Sequence, residues 1–200
     1  MPVTNTSPTP EAVGAVTWGL AAAWALHDAE ELATTAAWVR RNAPLLRERY
    51  PAVPEAVWRR VESVDRREFT VAVALVGLYV AAAAAAGRAS GGRSAFYQSV
   101  LYGFGLHGLV HIGQAAALRR YTPGSVTSPL VVVPFTLWAR GRLRRAGVLR
   151  PTRPRDLVIA LGGAGAVAVT AHAVAQGLLA AGDRPRRTDA GGALSGRGGR

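Results

Sequence analysis

The sequence contains no cysteine and no lysine, and only 12 of its 200 residues are acidic. The absence of cysteine excludes disulfide scaffolds, cysteine-ligated zinc sites and thiol nucleophiles. All 24 basic residues are arginine, and the formal net charge is +12. This charge would fit a nucleic-acid partner if it were spread over the chain. The arginines instead crowd between long uncharged runs, which favours contact with anionic lipid and argues against nucleic-acid binding.

Five stretches without any Asp, Glu or Arg indicate the fold class. They are Ala12–His27, Phe69–Gly87, Ser94–Leu118, Tyr121–Ala139 and Leu157–Gly182. A membrane-spanning helix needs about 20 mainly apolar residues. A helix of a soluble bundle would instead show a polar face in every turn. We therefore predict an all-α integral membrane bundle of about five transmembrane helices.

The fourth of these stretches allows a second interpretation. Tyr121–Ala139 contains Pro129 and Pro134, so it could be a re-entrant segment instead of a span. With five spans, the arginine distribution places the N-terminus outside, and the re-entrant alternative fits the positive-inside rule slightly better. We retain five spans as the prediction. Glu55–Glu68 should form a short amphipathic helix on the inner membrane surface.

The segments at the two ends differ in composition from the rest of the chain. Residues 1–10 are rich in Pro, Thr and Ser, and residues 183–200 are rich in Arg and Gly. Both compositions are typical of disorder. We expect one membrane-embedded domain over residues 11–182 between them.

Candidate chemistry is concentrated in four histidines, all of which fall within apolar stretches: His27, His107, His111 and His172. Ionisable groups inside membrane spans are costly and usually mark a functional site. His107 and His111 have the i, i+4 spacing that lets two imidazoles share a metal. His27 is followed one turn later by Glu30 and Glu31, which flank it on the same helical face.

The depths of these residues in their helices indicate that they could meet. Counted by helical rise, the four histidines lie about 20–25 Å from the start of their own segments. If the first, third and fifth helices are neighbours, His27, Glu31, His107, His111 and His172 form one layer. Nitrogen and carboxylate ligands of this kind suit zinc, iron or manganese. Glu30 would then be the general base, or Glu31 if Glu30 is the ligand.

Three sequence motifs resemble a known family, the HXXEE-domain proteins. They are HDAEE at residues 27–31, GLHGLVH at 105–111 and RYTPG at 120–124. The resemblance covers roughly Trp18 to Leu137 and extends to a further apolar segment. It implies a small multi-helix membrane protein of bacteria or archaea, without an established activity, in which the histidine and both glutamates of the first motif are the residues of interest.

Three functions are compatible with these observations. The first is a metal-dependent hydrolase or oxidoreductase that lies in the bacterial plasma membrane, contacts membrane lipid and acts on a lipid-like substrate. The second is a proton or metal relay that uses the same side chains for transport. The third is a structural membrane protein whose polar residues only hold helices together. The oligomeric state is left open.

Overall fold

The computed structural model describes residues 10–182, and within that range the chain forms six α-helices and no strand. The helices are α1 (Pro10–Arg49), α2 (Glu55–Ser63), α3 (Arg66–Ala89), α4 (Ala95–Leu118), α5 (Val133–Arg145) and α6 (Pro154–Gly182). A π-helical turn over Ser128–Val132 leads directly into α5. The predicted all-α class is confirmed. The expected disordered ends, 1–10 and 183–200, lie outside the described residues apart from Pro10.

Helix α1 is much longer than the first apolar run. It comprises 40 residues, or about 60 Å at 1.5 Å per residue. The run of Ala, Leu and Glu around HDAEE favours helix and contains no glycine or proline, so nothing ends the helix at His27. The motif therefore lies in the middle of a continuous helix, with an apolar half before it and a polar half after it.

The core lies where α1, α3, α4 and the π-helical turn meet. Leu20, Tyr97, Leu101 and Val132 are among its most buried side chains. Helix α3 runs antiparallel to α4, and α6 runs antiparallel to α3, so α4 and α6 run in the same direction. Helix α6 packs against α3 through a small cluster of alanines, where small side chains let helices approach closely.

The predicted amphipathic helix forms, but it is shorter than expected. It begins at Glu55 and ends at Ser63. Asp65 then caps α3 by accepting a 2.7 Å hydrogen bond from the backbone N–H of Glu68, so Glu68 belongs to α3. A cap at this position starts a new helix because it satisfies a free N–H group of the first turn. The location of α2 at a membrane surface stays a prediction.

The fourth apolar run is only partly helical. Residues 119–127 form a loop that returns to α1, and we call this segment the return loop. Helical structure then continues from Ser128 to Arg145. The run therefore contributes a loop and a helix that extends beyond Ala139, instead of one helix over Tyr121–Ala139. Whether this segment spans or re-enters a membrane stays a prediction.

Two of the described helices, α3 and α6, are long and apolar enough to cross a membrane. Length and composition alone make this a weak indication of membrane association. Helix α4 carries no Asp, Glu or Arg, but its histidines, glutamines and tyrosines lower its hydropathy. The structure thus shows a helical bundle with two candidate spans and leaves the predicted five spans unconfirmed.

Candidate metal centre

Four of the predicted site residues converge between α1 and α4. His27, Glu31, His107 and His111 each offer one ligand atom, and these atoms all lie within 4.8 Å of one another. We call this group the His/Glu cluster. Two ligands come from one turn of α1 and two from one turn of α4, because i, i+4 residues share a helical face. The cluster could hold a metal ion.

The separations between ligand atoms suit one small cation. His107 Nε2 lies 2.9 Å from His111 Nε2, and His111 Nε2 lies 3.3 Å from Glu31 Oε1. His27 Nε2 is 4.0 Å from Glu31 Oε2. Two nitrogen ligands on a tetrahedral zinc, each bonded at about 2.0–2.1 Å, lie about 3.3 Å apart. Small adjustments of these side chains would complete such a geometry.

His27 has a tautomer that leaves a ligand atom free. Its Nδ1 lies 2.8 Å from the Thr127 hydroxyl oxygen, and that hydroxyl donates to Glu30 at 2.6 Å. A hydroxyl has one proton, so Thr127 must accept from His27 Nδ1–H. His27 Nε2 is then unprotonated. It is fully buried and has no hydrogen-bond partner among the described residues, as expected of a metal ligand.

The same reasoning applies to His111. Its Nδ1 lies 2.8 Å from the carbonyl oxygen of Pro123, which can only accept. His111 Nδ1 therefore carries the proton, and the lone pair of Nε2 points into the cluster. Both His27 and His111 are thus oriented by the return loop, in the manner of histidine ligands whose second nitrogen donates to a neighbouring oxygen.

The return loop approaches both rings through a glycine. Gly124 has φ +78°, and a Cβ there would lie 2.7 Å from His27 Cε1 and 2.8 Å from His111 Nδ1. The loop is fastened to α1 by the Trp38 indole N–H, which donates to the Tyr121 carbonyl at 2.7 Å. Arg120 also donates to the Asn42 amide oxygen at 2.9 Å. Because the loop is held this close to the two rings, only glycine, which has no side chain, fits at position 124.

Glu30 lies outside the His/Glu cluster. Its carboxylate accepts hydrogen bonds from the Tyr121 hydroxyl at 2.8 Å, from the backbone N–H of Thr127 at 2.8 Å and from that of Val126 at 3.3 Å. The Thr127 hydroxyl supplies a fourth. These contacts hold the return loop against α1. Glu30, predicted as a general base, therefore has its oxygens engaged and acts on His27 through Thr127.

His172 does not join the cluster. Its Nδ1 lies 2.7 Å from Glu68 Oε1, and its ring stacks on Phe69 with centroids 6.1 Å apart. Glu68 also accepts from Arg60 and Gln176. The fifth apolar segment packs on α3 and α4 and not on α1, so its histidine meets α3. In the structure His172 ties α6 to α3.

A cavity of about 830 Å³ borders the cluster on its other side. Glu31 and His107 line this cavity, whereas His27 and His111 face the return loop. Asp28 also lines it and is buried. A metal in the cluster would consequently have access to the cavity through Glu31 and His107.

Sequence reasoning missed the contributions of Thr127, Gly124 and Asp28. The Pro-Gly pair of the RYTPG motif at 120–124 is a turn signal, but no local pattern indicates that this turn returns to α1. Asp28 follows His27 directly and so points about 100° away from it around the helix, and this side of α1 borders the cavity.

These features define the class of protein as a helical bundle with a candidate His/Glu metal centre. Residues 18–139 match the family described as "Protein of unknown function with HXXEE motif". The match covers more than half of the chain, so the protein belongs to the HXXEE family. Its motif residues are His27, Glu30 and Glu31. No curated protein and no solved structure matches the chain.

Proposed function

We propose that this protein is an integral membrane metalloenzyme that acts on a lipid-like substrate. The observation that carries the proposal is the His/Glu cluster, with three imidazoles and one carboxylate within 4.8 Å and two of the imidazoles fixed in a ligand tautomer. A cluster that served only to hold helices together would pair its polar atoms. The orphaned Nε2 of His27 argues for a metal partner instead.

Exposed apolar side chains on every long helix support a membrane location. Large hydrophobic side chains that are more than half exposed occur on α1, α3, α4, α5 and α6: Leu26, Leu78, Leu109, Leu137 and Val158. Isolated exposed apolar residues are ordinary in soluble proteins, but extended apolar surface is not. In a bilayer this surface would face lipid. The proposed topology has the N-terminus outside and about five membrane segments, in the plasma membrane of a bacterium.

Zinc, iron and manganese all suit this mixture of nitrogen and oxygen ligands. A bound metal would supply a Lewis acid and a means of activating water or oxygen. His27, Glu31, His107 and His111 would hold it, while Glu30 and Thr127 orient His27. Asp28 lies one helical turn before Glu31 and lines the cavity, so it is the carboxylate placed to accept a proton from a substrate.

Metal analysis of protein purified without chelators tests the proposal. We expect about one zinc, iron or manganese ion per chain. A colourless zinc protein would favour a hydrolase, and a coloured iron protein would favour an oxidoreductase. The double variant His107→Ala, His111→Ala should lose the metal because it removes two of four ligands.

The variant His172→Ala is a matched control because this histidine is intramembrane in the proposal but lies outside the cluster. It should retain the metal. Wild-type protein without any stoichiometric metal would reject the enzyme in favour of a proton relay. Equal metal loss in His172→Ala and the double variant would reject the assignment of ligands.

A further inference from the structure

The cavity next to the His/Glu cluster has basic side chains at one end and acidic side chains near the other. Arg140, Arg150, Arg153 and Arg155 line one end, near the starts of α4 and α6. Asp28 and Glu31 line the region near the cluster. The wall between them is formed mainly by small and apolar residues of α3, α4 and α6. The cavity is therefore polarised along its length.

Two of these arginines, Arg150 and Arg153, have no side-chain partner among the described residues, whereas the Arg140 guanidinium donates to the Thr152 hydroxyl at 2.9 Å. Arg155 lies 3.8 Å from Asp156. The Arg150 backbone is held by its N–H, which donates to the buried Gln98 at 2.8 Å. Its side chain makes no such contact. Guanidinium groups bind carboxylate and phosphate oxygens in a planar, two-pronged geometry.

The helices define the distance from the arginines to the cluster. Gly103 of α4 faces the backbone of Ala160 on α6. Arg155 precedes Ala160 by five residues, and His107 follows Gly103 by four. Since α4 and α6 run in the same direction, the arginine end lies about 14 Å from His107 along the bundle. A head group bound there cannot itself reach the metal ligands.

We propose that the cavity binds a single-chain amphiphile with an oxyanion head group, such as the anion of a long-chain fatty acid. The head group binds at Arg150 and Arg153, and the hydrocarbon chain passes Gly163 to reach Glu31 and His107. The part of the substrate presented to the metal centre is thus the chain and not the head group. A reaction of the chain at the metal centre would rest on the proposed function. The binding of the amphiphile in the cavity does not.

Two features favour this occupant over a two-chain lipid or a neutral one. A volume of about 830 Å³ is within the range of about 300–1,000 Å³ that suits a single compact ligand. The guanidinium groups of Arg150 and Arg153 at the arginine end favour an anionic head group over a neutral one.

Binding of radiolabelled palmitate to the detergent-purified protein tests the charge requirement. The double variant Arg150→Gln, Arg153→Gln should bind palmitate at least about tenfold more weakly, because charge-assisted hydrogen bonds to the head group are lost. The control is Arg142→Gln, Arg144→Gln, which changes two exposed arginines of α5 that do not line the cavity. The control should bind palmitate as the wild type does. Equal affinities of the two double variants would overturn the proposal.

A pair of glycine variants tests the path of the chain. Gly163 lines the cavity and Gly162 does not, and a Cβ at either position meets nothing within 4 Å. Gly163→Phe should block palmitate binding, whereas Gly162→Phe should not. Palmitate binding that survives Gly163→Phe would overturn the proposed path. The two variants place the same residue at neighbouring positions of α6, so a general loss of folding would affect both. Size-exclusion chromatography would detect such a loss.

Competition experiments test the class of ligand. Hexadecanol has the same chain without the charge and should compete poorly, and dipalmitoyl phosphatidic acid has two chains and should also compete poorly. Effective competition by either one would overturn the proposed ligand class.

Metal content measured on the same samples separates this inference from the proposed function. Normal metal content without palmitate binding rejects the inference alone. Arginine-dependent palmitate binding by a metal-free protein rejects the enzyme and the approach of the chain to a metal, while it supports the binding site.

Discussion

Replacing Gly124 with alanine should weaken metal binding because the return loop packs directly on two of the ligands. The new Cβ would lie 2.7 Å from His27 Cε1 and 2.8 Å from His111 Nδ1. Non-bonded carbon atoms prefer about 3.5–4.0 Å, so the rings or the loop must retreat by roughly 0.7 Å or more. Metal–ligand distances tolerate only about 0.2 Å. We expect the affinity for zinc to fall about 10–100-fold, as it does when the groups that orient ligands are changed.

The φ of +78° at Gly124 adds a second effect that must be separated from the first. An L-residue in this left-handed region costs about 1–2 kcal/mol of stability. Gly147 provides the control because its φ is +65° and a Cβ there meets nothing within 4 Å. Gly147→Ala should lower the thermal stability by a similar amount and leave zinc affinity unchanged. Chelator competition and thermal unfolding of both variants are the assays. Wild-type zinc affinity in Gly124→Ala would refute the reasoning.

Two further predictions concern the carboxylates of the bundle. Glu30→Gln and Thr127→Val should each lower metal affinity about 10–100-fold by releasing His27 from its orientation, whereas Glu31→Gln removes a ligand and should lower it further. Chelator competition checks this order, and equal effects of Glu30→Gln and Glu31→Gln would contradict it. Glu68→Gln should lower the free energy of unfolding by about 1–3 kcal/mol because a buried charged acceptor is lost, while the metal content stays unchanged. Thermal unfolding and metal analysis of Glu68→Gln test this prediction.

Local spacing was enough to predict each of the two ligand pairs from sequence. His107 and His111 are one helical turn apart, and so are His27 and Glu31, so each pair shares a face in any α-helix. His27, His107 and His111 all lie in uncharged stretches, which indicated that these three side chains would be buried. The structure brings these two pairs together, as expected from their similar depth in their helices.

The remaining features depend on contacts between distant parts of the chain. Glu30 binds Thr127, which lies 97 residues later, and no local pattern indicates that partnership. His172 has about the same depth in its helix as the other histidines. Helix α6 packs on α3, however, and there the His172 ring nitrogen lies within hydrogen-bond distance of Glu68. Depth along a helix is readable from the sequence, while the choice of neighbouring helix is not.

The two adjacent glutamates of the HXXEE motif have different partners in this structure. Residues at i+3 and i+4 from His27 lie on either side of it, about 100° apart around the helix. Glu31 at i+4 turns toward α4 and joins the cluster. Glu30 at i+3 turns toward the return loop, where it holds Thr127, and Thr127 in turn accepts the Nδ1 proton of His27. One helical turn of α1 therefore supplies two ligands, His27 and Glu31. It also supplies Glu30, which holds the return loop whose Thr127 sets the tautomer of His27. Exchanging the two roles would require each carboxylate to reach around the helix, so in this structure neither glutamate can take the place of the other.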